Sequence, residues 1–462
     1  MNEKWENWLS SLHKKRILVL GIGVSNRPLI RMLLERGLDV TACDKTPREK
    51  ANAEVLELER MGAKLRLGEG YLEDLSGDLV FRTPGMRPDI PALEALRASG
   101  AEVISEMEAF FEVCPCRIIA VTGSDGKTTT TTVISEMLKH AGYRVWLGGN
   151  IGAPLLDRTP QMSAEDFAVV ELSSFQLMTM TKSPTVAVVT NVAPNHLDIH
   201  KDMNEYIAAK KNIFCHAPQP QTVVLNADNE ITRAFAPDVT GTVRLFSRRE
   251  RMQTGAFFDG ETVFLAQNGV QLPVTEADGI RIPGLHNVEN YMAAFCAVQD
   301  FVSAEDMQAV AREFPGVEHR IELVRELHGV KIYNDSIASS PTRTIAGLHA
   351  FRQRVILIAG GYDKHIPFDG LGREICTHVK ALVLCGATAA MIEKAVRSAP
   401  EYETGHPRIV TLTDFAEAVK TAVSLAEPGD VVTLSPACAA FDQFKNFMVR
   451  GDTFKKLVME LE

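Results

Sequence analysis

The segment Thr122-Gly-Ser-Asp-Gly-Lys-Thr-Thr-Thr130 joins an apolar run, Ile118 to Val121, to a stretch of helical periodicity. A glycine-rich turn between strand and helix aims backbone N–H groups at phosphate. The lysine that follows reaches the terminal phosphates, and the next hydroxyl can ligate Mg2+. Thr122, Gly123, Ser124, Asp125, Gly126, Lys127, Thr128 and Thr129 are therefore candidates for holding a nucleoside triphosphate. The motif is a variant, because the leading glycine of the general pattern falls on Val121. Glu171 ends the run FAVVEL, at the carboxyl end of a strand, where open α/β sheets bind ligands. It reads as a second magnesium contact beside Thr128.

Further along, His196, Asp198 and His200 lie close together. His196 and His200 have the i, i+4 spacing of a zinc pair, but Leu197 stands where a metalloprotease carries its general-base glutamate. His196 as a single metal or phosphate-side ligand is the better reading. The helix that ends in Lys210-Lys211 either brings those lysines to the same region or presents a basic face. Near the start, Gly21-Ile-Gly23-Val-Ser25-Asn26 follows a strand, with Asp44 ending the next one. A dinucleotide fingerprint needs a third glycine where Asn26 stands. The pattern suits another nucleotide's pyrophosphate at a helix N-terminus. Cys114-Pro-Cys116 is the one close cysteine pair; no second pair completes a metal site, and the eight cysteines read as reduced packing residues.

These residues need strands and helices in alternation, and the chain supplies them. RILVLGIGV, a helix near 27–36, DVTACD, a helix near 47–61 and DLVFRTPG read as a parallel α/β unit. A second unit follows Cys-Pro-Cys, with FAVVEL and TVAVVTN as strands. TVFLAQNG and VQLPVTE suggest a small antiparallel insertion between 240 and 283. Pro315-Gly316 reads as a turn or hinge, after which VKIYND, RVILIAGG, KALVLCG and DVVTLSPA open a third unit. The expectation is three α/β domains, 1–113, 114–316 and 317–462, which suits a length of 462 residues. The net charge of -10 argues against a nucleic-acid-coating protein. Neither a membrane span nor a signal sequence is legible, so the cytoplasm and a monomer are expected.

Taken in order, the phosphate loop, Asn150-Ile-Gly152, Glu171, Asn191 to Asp198, Gly284-Leu-His-Asn287, His319-Arg320 and Asn334-Asp335-Ser336 resemble the ATP-dependent muramyl ligases and the related folylpolyglutamate synthases. The resemblance runs through nearly the whole chain. It implies a Rossmann-like N-terminal domain, a central P-loop ATPase-type domain and a C-terminal Rossmann-like domain. Glu171 to Leu177 and Ser435 to Phe447 resemble the members that join D-glutamate to UDP-N-acetylmuramoyl-L-alanine through an acyl phosphate, releasing ADP and phosphate.

The resemblance also implies roles. Lys127, His196 and Lys210 would be catalytic. Thr128 and Glu171 would hold one of two Mg2+ ions, and His196 with Lys210 the second, Lys210 carrying a carbamate. Asn287, Asn290, Arg320 and Asp335 would complete the ATP site. Gly23, Ser25, Asn26, Asp44, Thr83 and Asn150 would bind the UDP substrate, and Ser339, Lys364, Ala440 and Phe447 would bind D-glutamate. Three positions depart from the family pattern: Ile337 replaces a lysine, Ala440 a serine and Asn195 an aspartate. Two other readings remain: another muramyl or folylpolyglutamate-type ligase, and a phosphate-loop ATPase that joins nothing.

Overall fold

The computed structural model describes residues 2–197 and 199–462; Asp198, one of the candidate residues, lies outside them. The chain forms two compact units, the first running up to Ala277 and including Glu289–Val310, the second made of Asp278–Val288 and Ala311–Glu462. The described residues build three sheets.

The first sheet has the order β3-β2-β1-β4-β5, from β1 (Ile17–Leu20), β2 (Val40–Asp44), β3 (Lys64–Leu67), β4 (Leu79–Arg82) and β5 (Glu102–Ile104). All its pairings are parallel. β1 and β4 are buried throughout, as continuous apolar runs in a sheet covered on both faces must be. The helix expected near 47–61 is interrupted after Pro47: a 3-10 turn, Arg48–Lys50, precedes the helix Ala53–Arg60. Asn52 caps that helix by accepting the Val55 N–H at 3.0 Å.

The central sheet has the order β14-β13-β12-β11-β10-β9-β6-β8-β7. Its strands are β6 (Arg117–Thr122), β7 (Val145–Gly149), β8 (Phe167–Glu171), β9 (Val186–Val189), β10 (Thr222–Asn226), β11 (Thr242–Ser247), β12 (Gly255–Phe258), β13 (Thr262–Gln267) and β14 (Val270–Glu276). The antiparallel strands expected between 240 and 283 are β13 and β14. β12 pairs in parallel with β11, and the β12–β13–β14 meander extends the same sheet at its edge. Phe257 stacks on its cross-strand partner Phe264, centroids 5.0 Å apart, in a small core with Ala227, Met252 and Ala266. Phe110, Val113, Cys114, Cys116 and Ile118 belong to one core cluster that runs from Trp5 to Phe235. Seven cysteines are buried as packing residues, but Cys215 is exposed; all eight are free thiols.

The third sheet has the order β15-β16-β20-β17-β18-β19, from β15 (Glu322–Leu327), β16 (Val330–Asn334), β17 (Val355–Ala359), β18 (Val379–Cys385), β19 (Arg408–Leu412) and β20 (Val431–Leu434). β15 and β19 are additions to the four strands legible in the sequence. Both are edge strands with mostly half-buried, partly charged residues, so neither shows the apolar run of an inner strand. β15 is antiparallel to β16, and the other pairings are parallel.

Candidate active site

The phosphate loop lies between β6 and the helix Lys127–His140. Gly123 and Gly126 have φ of 153° and 78°, values at which a side chain would be strained. Gly126 caps the helix, so the first-turn N–H groups and the positive end of the helix dipole lie at the loop. The segment after β9 braces it: Asn191 Oδ1 accepts from Asp125 N at 2.9 Å, Thr190 Oγ1 donates to the Asp125 carbonyl at 2.6 Å, and Ser124 Oγ donates to Ala193 O at 2.9 Å. Asn290 comes in from the helix Leu285–Val298, where its Oδ1 accepts from Thr130 Oγ1 at 3.3 Å. Lys127 Nζ donates to the carbonyls of Gly123 and Ser124, each at 2.9 Å.

Thr128 and Glu171 meet as expected. Thr128 Oγ1 donates to Glu171 Oε2 at 2.7 Å, while Asn150 Nδ2 donates to Oε1 at 2.7 Å. Asn150 therefore stands beside the phosphate loop's Thr128–Glu171 pair. Hydroxyl and carboxylate oxygens beside a helix N-terminus are a donor set for a hard divalent cation, so these residues fit Mg2+.

Lys210 reaches the same loop. Its Nζ is buried, donates to Gly123 O at 2.8 Å, and lies 4.6 Å from the centre of the Tyr206 ring. Burial, then the like charge of Lys127, pushes its pKa well below the ordinary lysine value, against the pull of Asp125 and Glu171. Lys211 turns elsewhere, pairing with Asp238 at 2.6 Å. Of the two lysines, it is Lys210 that bonds to the loop.

The two histidines also diverge. His196 is exposed, with φ of 54°, and packs edge-on against Phe175 at 5.2 Å. His200 is buried; its Nε2 lies 2.9 Å from Ser174 Oγ and its Nδ1 3.3 Å from Glu205. Burial lowers its pKa despite Glu205, and its ring stacks on Phe175 with centroids 5.2 Å apart.

In the first sheet, the candidates gather at the carboxyl ends of β1, β2 and β4, where the strand order reverses. Asp44 accepts from Ile22 N at 2.7 Å and Thr46 N at 2.8 Å. These bonds hold its pKa low despite burial. Asn26 Nδ2 donates to Gly21 O at 2.8 Å, and its buried Oδ1 takes no bond among the described residues. Thr83 packs against Gly21, Gly23 has no neighbour where a side chain would project, and Ser25 precedes the helix Asn26–Glu35 without capping it.

In the second unit, Lys364 Nζ donates to the Ser339 carbonyl at 3.2 Å. Ala440 is buried, and Phe447 opens the helix Phe447–Met459. Asp335 accepts from Ser435 Oγ at 2.7 Å, and burial pushes its pKa up to about 7 although Arg320 opposes this. Asn287 donates to Pro283 O at 2.6 Å.

Sequence reasoning missed Arg450. Its buried guanidinium donates to Ser336 Oγ and O at 3.0 and 2.9 Å, and to the Cys438 and Ala439 carbonyls at 3.1 Å each. It ties the loops after β16 and β20 to the helix that Phe447 opens. Arg82 is similar, donating to Thr179 Oγ1 at 2.7 Å and Met86 O at 2.9 Å. An arginine in an apolar run was the available signal for Arg82. Arg450 has none, because three of its four bonds go to carbonyls and the fourth to a serine hydroxyl 114 residues away.

Family models for the Mur ligase middle domain and the Mur ligase, glutamate ligase domain match residues 121–298 and 319–438. The chain belongs to the Mur ligase family. It is 53% identical over 466 residues to a protein of Acetivibrio thermocellus and 50% identical over 462 residues to one of Clostridium botulinum (strain Alaska E43 / Type E3), with 100% of both chains covered in each case. Both relatives carry the name "UDP-N-acetylmuramoylalanine--D-glutamate ligase". The fold is similar to that of UDP-N-acetylmuramate-alanine ligase from Thermotoga maritima, with TM-score 0.60, 18% identity and 96% and 99% of the two chains covered. A pseudomurein peptide ligase type C from Methanothermus fervidus gives TM-score 0.54 at 18% identity, covering 97% and 100%.

Proposed function

We infer that the chain is an ATP-dependent ligase that joins D-glutamate to UDP-N-acetylmuramoyl-L-alanine in peptidoglycan precursor synthesis. Its similarity along its whole length to ligases of that name supports this. The observation that carries the chemistry is the meeting of Lys127 and Lys210 on one carbonyl, beside the Thr128–Glu171 pair.

The substrate's alanyl carboxylate forms a bond to the γ-phosphorus of ATP while the bond to ADP breaks. The D-glutamate amine then attacks the acyl carbon, the C–O bond to phosphate breaks, and the amine loses a proton. Two anions must approach one another in the first step, so charge neutralisation and positioning supply most of the catalysis. Lys127 leaves its loop carbonyls for the phosphates, and the N–H groups of the loop and helix hold them. Thr128 and Glu171 would hold one Mg2+, and His196 with Lys210 the second; bound Mg2+ neutralises phosphate charge. The buried Lys210 amine has the weak basicity that lets it add CO2, and the resulting carbamate would be an oxygen ligand.

The family resemblance assigns Asn287, Asn290, Arg320 and Asp335 to ATP as well. Residues 1–113 take the UDP substrate through Gly23, Ser25, Asn26, Asp44 and Thr83. Residues 114–316 take ATP, with Asn150 beside the alanyl end. Residues 317–462 take D-glutamate through Ser339, Lys364 and the backbone N–H groups of Ala440 and Phe447. No helix among the described residues is long and apolar enough to cross a membrane, and we place the reaction in the cytoplasm, carried out by a monomer.

Purified protein with ATP and Mg2+ should release phosphate only when both UDP-N-acetylmuramoyl-L-alanine and D-glutamate are present. Equal release with UDP-N-acetylmuramate and L-alanine would favour another ligase of the family. Substrate-independent release would favour an ATPase.

A further inference from the structure

We propose that His349, Glu374 and His378 form a binding site for a late first-row divalent metal such as Zn2+, on the second unit and separate from the residues assigned to the reaction. His349 ends the helix Pro341–Leu348, and Glu374 and His378 stand one turn apart on the helix Asp369–His378. His349 Nε2 lies 2.7 Å and His378 Nε2 3.3 Å from the same oxygen, Glu374 Oε2. All three ligand atoms lie within 4.8 Å of one another. A tetrahedral ion with bonds of about 2.0–2.2 Å needs ligand atoms about 3.4 Å apart, so small side-chain shifts on a partly exposed surface complete the set. Two imidazoles and a carboxylate suit Zn2+, Co2+ or Ni2+ far better than Mg2+, which separates this site from the oxygen set at Thr128.

The neighbouring cations do not fill the position. Arg373 pairs with Glu401, and Arg354 donates to the Thr377 carbonyl. The other tight cluster among the described residues, Glu318, His319 and Asp452, is different: Lys455 lies 2.5 Å from Glu318 and 3.3 Å from Asp452. A lysine already neutralises that one.

The two helices follow the loops that carry Ser339 and Lys364. A bound ion would clamp the end of one helix to the other, stabilising the second unit rather than taking part in the reaction.

The test is a Zn2+ titration of the full chain against a competing zinc indicator, in excess Mg2+, with His349→Ala, His378→Ala and Glu374→Gln alongside. Wild type should bind one Zn2+ more tightly than each variant. The gap should exceed the roughly 10- to 100-fold that losing a supporting residue costs a metal site. Co2+ should give visible d–d bands in wild type that His378→Ala lacks, and Zn2+ should raise only the wild-type melting midpoint. The variants should match wild type in melting midpoint with EDTA and in turnover in zinc-free Mg2+ buffer, which shows that they fold. Equal zinc affinity in wild type and the variants, or no binding by either, overturns the assignment.

Discussion

Lys127 and Lys210 both donate to the Gly123 carbonyl, and this sharing explains why each should be indispensable in a different way. Lys127 is a mobile cation that phosphate can recruit, so Lys127→Ala should cut kcat by roughly 10^2- to 10^3-fold or more with an unchanged circular dichroism spectrum. Retained turnover would remove the phosphate-loop argument. Lys210 is buried where a full charge is costly. Lys210→Ala should lose turnover and regain part of it when short carboxylic acids are added, and a complete lack of rescue would count against a carbamate there. Lys127 was legible because a strand-end motif marks it, whereas for Lys210 the sequence offered two adjacent lysines and the resemblance chose between them. The approach of Asn290 to the loop, across 160 residues from Thr130, has no local periodicity to reveal it. Resemblance alone brought that residue in.

At the scale of elements, inner strands were readable because burial on both faces demands an unbroken apolar run, as in β8 and β17. β15 and β19 escaped notice because an edge tolerates charge, and the runs that mark β13 and β14 do not show that the meander joins β11. The helix Glu106–Val113 shows another feature that sequence hides. Glu106 is buried in its first turn, where it accepts the Leu156 N–H at 3.0 Å, yet burial still pushes its pKa up to about 7. A carboxyl raised on folding adds stability below its unfolded value. That contribution is lost as pH rises through 7. Between pH 5 and 8 Glu106 and Asp335 should therefore lower the melting midpoint as pH rises, while His200 and Lys210, whose pKa values burial lowers, act the opposite way; Glu106→Gln should remove the Glu106 share and change the slope. Glu205, held low at about 2 by Arg87, works only at more acidic pH and does not obscure this window. An unchanged slope in Glu106→Gln would refute the assignment.

For the whole molecule, the proposed division of labour makes kinetic effects separable. Lys364→Ala should raise KM for D-glutamate several-fold and leave KM for ATP nearly unchanged, whereas substitutions at Asp44 should act on the UDP substrate. Steady-state kinetics with each substrate varied in turn measures both. A Lys364 variant that changed only the ATP constant would argue against that division. The two units also interleave along the chain. Arg281 donates to Glu313 O and Arg352 pairs with Asp278, both inside the second unit, while Glu289–Val310 belongs to the first. The helix Leu285–Val298 is thus held in common. For the gene this means that no single crossover exchanges one unit whole: wherever it falls, a piece of one unit travels with the other.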